Sequence, residues 1–170
     1  MKKLLTLLAL FAIILTSCTG DPGPPGRDGL DGINAEKPIV YEYDADYDYI
    51  ADGNFWVSQI FNFTGSQPGD IYLAYISLNR DGIYTNMPTS IFDDLGEFQY
   101  VFDHDFDTVE MQIIGDSDLS GLDNSSTQGV WVRIAVIPAD LVAQFNGDFS
   151  NLNTIMSALD LQESDVKRLN

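Results

Sequence analysis

Cysteine, histidine and positive charge are all scarce in this chain of 170 residues. It holds one cysteine, one histidine, and eight Lys and Arg against 26 Asp and Glu. A single cysteine, Cys18, excludes a disulfide framework. Its position near the N-terminus also leaves the rest of the chain without a cysteine zinc site or a thiol nucleophile. No G-x-S-x-G elbow, Walker loop or G-x-G-x-x-G after a strand is present. A carboxylate pair, as in glycoside hydrolysis, is the one enzymatic chemistry left. With 26 acids some close pair is inevitable, so that signal has no specificity, and the chain is expected not to be an enzyme. The formal charge of −18 sets it against nucleic acid and anionic headgroups.

Long apolar runs are lacking too, except for one. Met1-Lys2-Lys3 is followed by an apolar run from Leu4 to Leu15, broken only by Thr6, and then by Leu15-Thr16-Ser17-Cys18. This is the layout of an export signal. As helix the run reaches only about 18 Å, against the roughly 30 Å of a bilayer core. Leu15-Thr16-Ser17-Cys18 resembles the lipobox of bacterial lipoproteins. The resemblance implies removal of residues 1–17, lipid on Cys18 and attachment to a membrane. Thr19 in place of Asp favours the outer membrane, with the choice of face left open. One acyl chain holds a protein marginally, whereas two or more hold it stably. Loss of Lys2 and Lys3 leaves six basic residues and a formal charge of −20.

Gly20 to Asn34 is five Gly-X-Y triplets. At ordinary glycine frequency such a run arises by chance about once in 10⁶ placements. It reads either as a collagen-like triple helix joining three chains or as a semi-extended tether. Two of the five triplets contain proline, so the tether and a monomer are favoured over the trimer. Extended, the stretch spans about 45 Å.

Residues 38–170 are expected to form one mainly β domain, an Ig-like β-sandwich with two or three short C-terminal helices. Strands are predicted over Ile39–Tyr43, Phe55–Phe63, Ile71–Leu78, Gln99–Phe102, Val109–Ile114 and Val130–Ile137. In the last, Val130, Val132, Ile134 and Val136 oppose Trp131, Arg133, Ala135 and Ile137. In the second, Phe55, Val57, Phe61 and Phe63 are expected on one face. Turns are marked by Gly65–Gly69, Asn79–Gly82 and Gly115–Gly121. Pro138 starts a helical piece closed by Asn146-Gly147, and Ser150 caps a helix carrying Leu152, Ile155, Met156 and Leu159. Asp165 to Leu169 is expected as a last helical turn. The helices should cover an edge or open face of the sheet.

The full layout resembles a group of small bacterial lipoproteins with a collagen-like stalk and a β-rich C-terminal domain. The resemblance rests on Cys18, the triplets Gly20 to Asn34, and the ending Val130 to Pro138. It implies an address and a stalk, and no activity.

Three acidic clusters are candidate cation sites. The best is Asp116, Asp118, Ser120 and Asn124, with Gly121 at the sixth position of an EF-hand-like loop. Thr127 stands where that loop needs a bidentate Glu, so a self-solvated turn is the competing reading. The others are Asp44, Asp46, Asp48 and Asp52, and Asp103, Asp105 and Asp107 around His104. Calcium is the one cofactor the sequence suggests. Tyr41, Tyr43, Tyr47, Tyr49, Tyr72, Tyr75 and Tyr84 could form a sugar-binding surface, although strands are rich in aromatics for packing alone. The expected function is a lipid-anchored cell-envelope protein with a structural or adhesive contact to a protein or polysaccharide. The alternative is a calcium- or glycan-binding module of a larger envelope complex.

Overall fold

The structure is a computed structural model and describes residues 38–142 and 147–169. The export segment 1–17, Cys18 and the triplets of 20–34 lie outside these residues. Asn146 of the expected helix end does as well. The described residues fall in one compact unit, 34–170.

Eleven strands are present among them: β1 (Ile39–Ala45), β2 (Tyr47–Ile50), β3 (Phe55–Ser58), β4 (Phe61–Asn62), β5 (Ile71–Ser77), β6 (Thr85–Asn86), β7 (Thr89–Asp93), β8 (Gly96–His104), β9 (Thr108–Gly115), β10 (Val130–Ile137) and β11 (Lys167–Leu169). Sheet A has the order β11-β1-β10-β5-β6, and sheet B the order β2-β3-β9-β8-β7, with β4 also on β9. The helices are α1 (Asn124–Thr127), α2 (Ala139–Val142) and α3 (Leu152–Ala158).

The two sheets face each other across one core. Val130, Val132, Ile134 and Val136 of β10 enter it from sheet A, and Phe98, Tyr100, Met111 and Ile113 from sheet B. The alternation expected for β10 is the one observed. Its odd residues turn to the opposite side, where Ala135 and Ile137 join Val40, Tyr75, Leu152, Ile155 and Met156 in a second cluster. Sheet A is thus buried on both faces, which is why β5 and β10 are apolar almost throughout. Burial of Leu152, Ile155 and Met156 contributes on the order of 6 kcal/mol to holding α3 there. The Tyr75 hydroxyl adds a 2.6 Å hydrogen bond to the Phe149 carbonyl.

The faces of Phe55–Phe63 differ from those expected, for a clear reason. Trp56 pairs with Ile113, but Phe61 pairs with Val109, so one extra residue sits in the β3–β4 side. This is a β-bulge, and it reverses which parity points inward. Before it Trp56 and Ser58 face the core, and after it Phe61 and Phe63 do. The Ser58 hydroxyl accepts from the Met111 N–H at 3.0 Å and keeps that buried donor satisfied.

The chain end also differs from expectation. Glu163–Asp165 is a 3₁₀ turn, and Lys167–Leu169 is not helical but runs parallel to β1 as an added edge strand. Asn151, rather than Ser150, caps α3, accepting from the Thr154 N–H at 3.1 Å.

Candidate functional site

The acidic residues proposed for calcium are placed by their backbone. Asp116 and Asp118 lie just past β9, in the link to a 3₁₀ turn at Leu119–Gly121. The Asp118 carboxylate accepts from the Ser120 N–H at 3.0 Å, capping that turn. Asp123 caps α1, accepting from the Ser125 N–H at 2.9 Å and the Ser126 N–H at 3.2 Å. Hydrogen bonds from Ser120 hold the Asp118 carboxyl below its ordinary range, and bonds from Ser125 and Ser126 do the same for Asp123. Asn124 is the first residue of α1.

The loop is also clamped from below. Asn54 sits in the left-handed region at φ 51° and donates through Nδ2 to the Ser117 carbonyl at 2.7 Å. Its Oδ1 accepts from the Leu119 N–H at 2.9 Å. Trp56 Nε1 donates to the Leu119 carbonyl at 2.8 Å. Asp118 and two carbonyls of the loop therefore already have partners inside the protein. Among the described residues no group of three or more His, Cys, Asp or Glu is gathered closely enough to hold a metal. That applies equally to the clusters at Asp44–Asp52 and Asp103–Asp107.

Most of the tyrosines proposed for sugar contact point inward. Tyr47, Tyr72 and Tyr75 are buried, and Tyr41, Tyr43, Tyr49 and Tyr84 are half-buried. Tyr41 and Tyr43 pack on Phe61 and Phe63 within the inter-sheet core. Burial raises the Tyr43 phenol to about 12, with the neighbouring Tyr41 adding to it. The residues do not form an exposed platform.

The most elaborate polar group lies on the outer side of sheet A. Glu42 of β1 and Arg133 of β10 are register partners, each about nine-tenths buried. Glu42 Oε2 accepts from Arg133 Nε at 2.8 Å and from the Tyr84 hydroxyl at 2.8 Å. Arg133 also pairs with Glu163, and Arg168 of β11 pairs with the other Glu42 oxygen. The Arg133 guanidinium lies 4.3 Å from the Tyr84 ring centre. Burial would raise the Glu42 carboxyl, but bonds from Tyr84 and Arg133 and the two Arg charges outweigh it and hold the group low. Two acids and two cations cancel here. The arrangement fastens β11 and the 3₁₀ turn to the sheet and offers a ligand no unpaired charge.

The opposite side of the molecule is built differently. Neither apolar cluster lies on the outer face of sheet B, where Ile50 and Ile114 are exposed and Phe55, Val57 and Val101 half-buried. Across it runs a ladder Asp48–Val57–Gln112–Val101, set by the registers of β2, β3, β9 and β8. Beside it, Ile50 pairs with Phe55 across β2 and β3, and Ile114 with Gln99 across β9 and β8. On the edge, Phe92 pairs with Glu97 and is 75% exposed. At one end is a shallow depression of about 650 Å³, lined by Glu97, Gln99, Ile114 and Asp116 among others. Apolar and amide side chains occupy the middle, and Asp48, Glu97, Asp103 and Glu110 stand around them. Sequence reasoning missed this face because the bulge hides its parity and β7 was not predicted as a strand.

No family model, curated protein or solved structure matches the chain. Among the described residues no helix is long and apolar enough to cross a membrane.

Proposed function

We propose that this chain is a non-enzymatic, lipid-anchored cell-envelope protein. It is held to the outer membrane through lipid on Cys18. The Gly-X-Y stretch is a spacer of a monomer, and the β-rich domain makes a structural or adhesive contact with a protein or polysaccharide. The sandwich is taken as Ig-like because its mostly antiparallel sheets exchange the chain repeatedly, between β1 and β2, β4 and β5, β6 and β7, and β9 and β10. The observation that carries the reading is the inequality of the two sheets. α3 and the chain end pack over the outer side of sheet A, whereas the outer side of sheet B carries half-apolar rows with no such cluster on them. Apolar side chains within a polar rim are the usual anatomy of a contact site.

The anchor is tested with Cys18→Ala. The wild-type chain should take up labelled fatty acid in growing cells and sediment with membranes, and the variant should take up none. Wild-type chain free of label and recovered in the soluble fraction would remove the anchor. The contact is tested with Val57→Lys/Val101→Lys, which places two charges in the middle of the open face. Loss of a cell-surface or envelope association, with the fold intact by circular dichroism, is expected. An unchanged association would move the contact elsewhere.

A further inference from the structure

We infer that the open face of sheet B docks a cationic polypeptide segment that carries apolar side chains among its Lys and Arg. This rests on the proposed contact face and names its partner class.

The first observation is the separation of charge between the sheets. From Asp46 to Asp70 and from Thr85 to Gly129, the stretches that build sheet B, there is no Lys or Arg. The second stretch alone holds ten Asp and Glu. Every Lys and Arg among the described residues lies on β10, on β11 or in the β5–β6 turn, all on sheet A. Each is engaged by the protein itself. Arg133 and Arg168 bind Glu42, and Lys167 lies 5.5 Å from the Tyr41 ring centre. Arg80 donates to the Gln128 carbonyl at 3.1 Å. Sheet B therefore has no internal counter-charge and carries a one-signed field at its open face.

The second observation is how those acids are arranged. They are not gathered into a cation cage among the described residues. Asp48, Glu97, Asp103 and Glu110 instead surround Val57, Val101, Phe55 and Ile114. Dispersed charge around an apolar centre suits a ligand with several separated cations and apolar groups between them. A polypeptide with alternating Lys or Arg and Leu or Val has that form.

Other occupants fit less well. A second copy would set acid against acid on this face. Nucleic acid and anionic lipid meet the same repulsion. A neutral polysaccharide stacks on exposed flat rings. On this face Phe92 is a 75% exposed ring, while Phe55 is half-buried and Tyr47 and Tyr49 of β2 turn to the core side.

The test uses the full chain in neutral detergent and three labelled peptides of one length: alternating Lys and Leu, the same with Gln for Lys, and Lys with Ser for Leu. Binding is read by fluorescence anisotropy at two salt concentrations. Val57→Lys/Val101→Lys is compared with Asn153→Lys/Ser157→Lys, which adds the same charge to exposed positions of α3. The Lys/Leu peptide should bind best. It should lose at least tenfold in affinity with the sheet B pair and twofold or less with the α3 pair. Equal losses in both pairs would show a net-charge effect and overturn the inference. Equal affinity of the Lys/Ser peptide would overturn the apolar half of it. Tight binding of the Gln/Leu peptide or of a neutral glycan, lost only in the sheet B pair, would overturn the cationic class and keep the face as the contact site. No binding of any probe by the wild-type chain would overturn the inference, while the in-cell association of the sheet B pair decides the broader reading separately.

Discussion

Replacing Glu42 with Gln keeps the shape of a nine-tenths-buried side chain and removes its charge. Arg133 then loses its buried partner, and Arg168 loses the carboxylate it pairs with. Breaking a buried pair from one side costs about 3–5 kcal/mol. Glu163 still faces Arg133, but its side chain is 72% exposed and screened, so the lower end, about 3 kcal/mol, is the expected loss. For a domain of this size that is roughly 10 °C in Tm. Urea unfolding followed by circular dichroism measures it. Glu163→Gln should cost less than about 1 kcal/mol. Glu42→Leu/Arg133→Leu should recover most of the loss, because an apolar pair needs no counter-charge. The pH dependence has a fixed sign. A carboxyl held below its ordinary value of 4.5 stabilises the fold above that value, and the contribution is lost as pH falls through the lower folded value. Glu42→Gln should flatten that acid limb. A loss under about 1 kcal/mol for Glu42→Gln, or a double variant no better than the sum of the singles, would refute the argument.

Ile155→Ala removes a fully buried side chain between α3 and sheet A and should cost about 3 kcal/mol by urea unfolding, with α3 lost before the sandwich in hydrogen exchange. At high pH, burial raises the Tyr43 phenol from 10.0 to about 12 and pushes Tyr47 and Tyr100 higher still. Their stabilisation is whole below pH 10 and is lost above it, so the urea midpoint should hold steady up to that pH and then fall as phenolate absorbance rises. For calcium at Asp116, Asp118, Ser120 and Asn124, a bound ion at a hundred times its Kd would add about 2.7 kcal/mol. The capping bonds at Asp118 and Asp123 predict no such rise in Tm at millimolar calcium, and a rise abolished by Asp116→Asn would contradict this.

The two-sheet β architecture was legible in β10 and β5, whose unbroken apolar runs mark a sheet buried on both faces. The helix over Leu152–Ala158 was equally legible from its spacing. Three things were hidden. The bulge between Ser58 and Phe61 leaves no signature, because Phe55, Val57, Phe61 and Phe63 share one parity and read as one unbroken face. The strand at Lys167–Leu169 has three residues, and what fastens it, Arg168 on Glu42 and Glu163 on Arg133, lies far along the chain. The edge strand β7 ends at Asp93, and the Asp93-Asp94 pair reads as a turn. The open face depends on the bulge and β7 together, so it needed tertiary pairing to appear. The fate of the Asp116–Asn124 loop likewise depended on Asn54 and Trp56, distant residues that bind its carbonyls.

Carboxylate footprinting tests the central claim, that sheet B presents the contact face and sheet A does not. A water-soluble carbodiimide and an amine would be applied to intact cells and to purified chain, and labelling read by mass spectrometry. The account predicts that Asp48, Glu97 and Glu110 are protected in cells relative to purified chain, while exposed Asp160 and Glu163 label equally in both. Equal labelling of the sheet B acids in both preparations, or protection confined to Asp160 and Glu163, would contradict it.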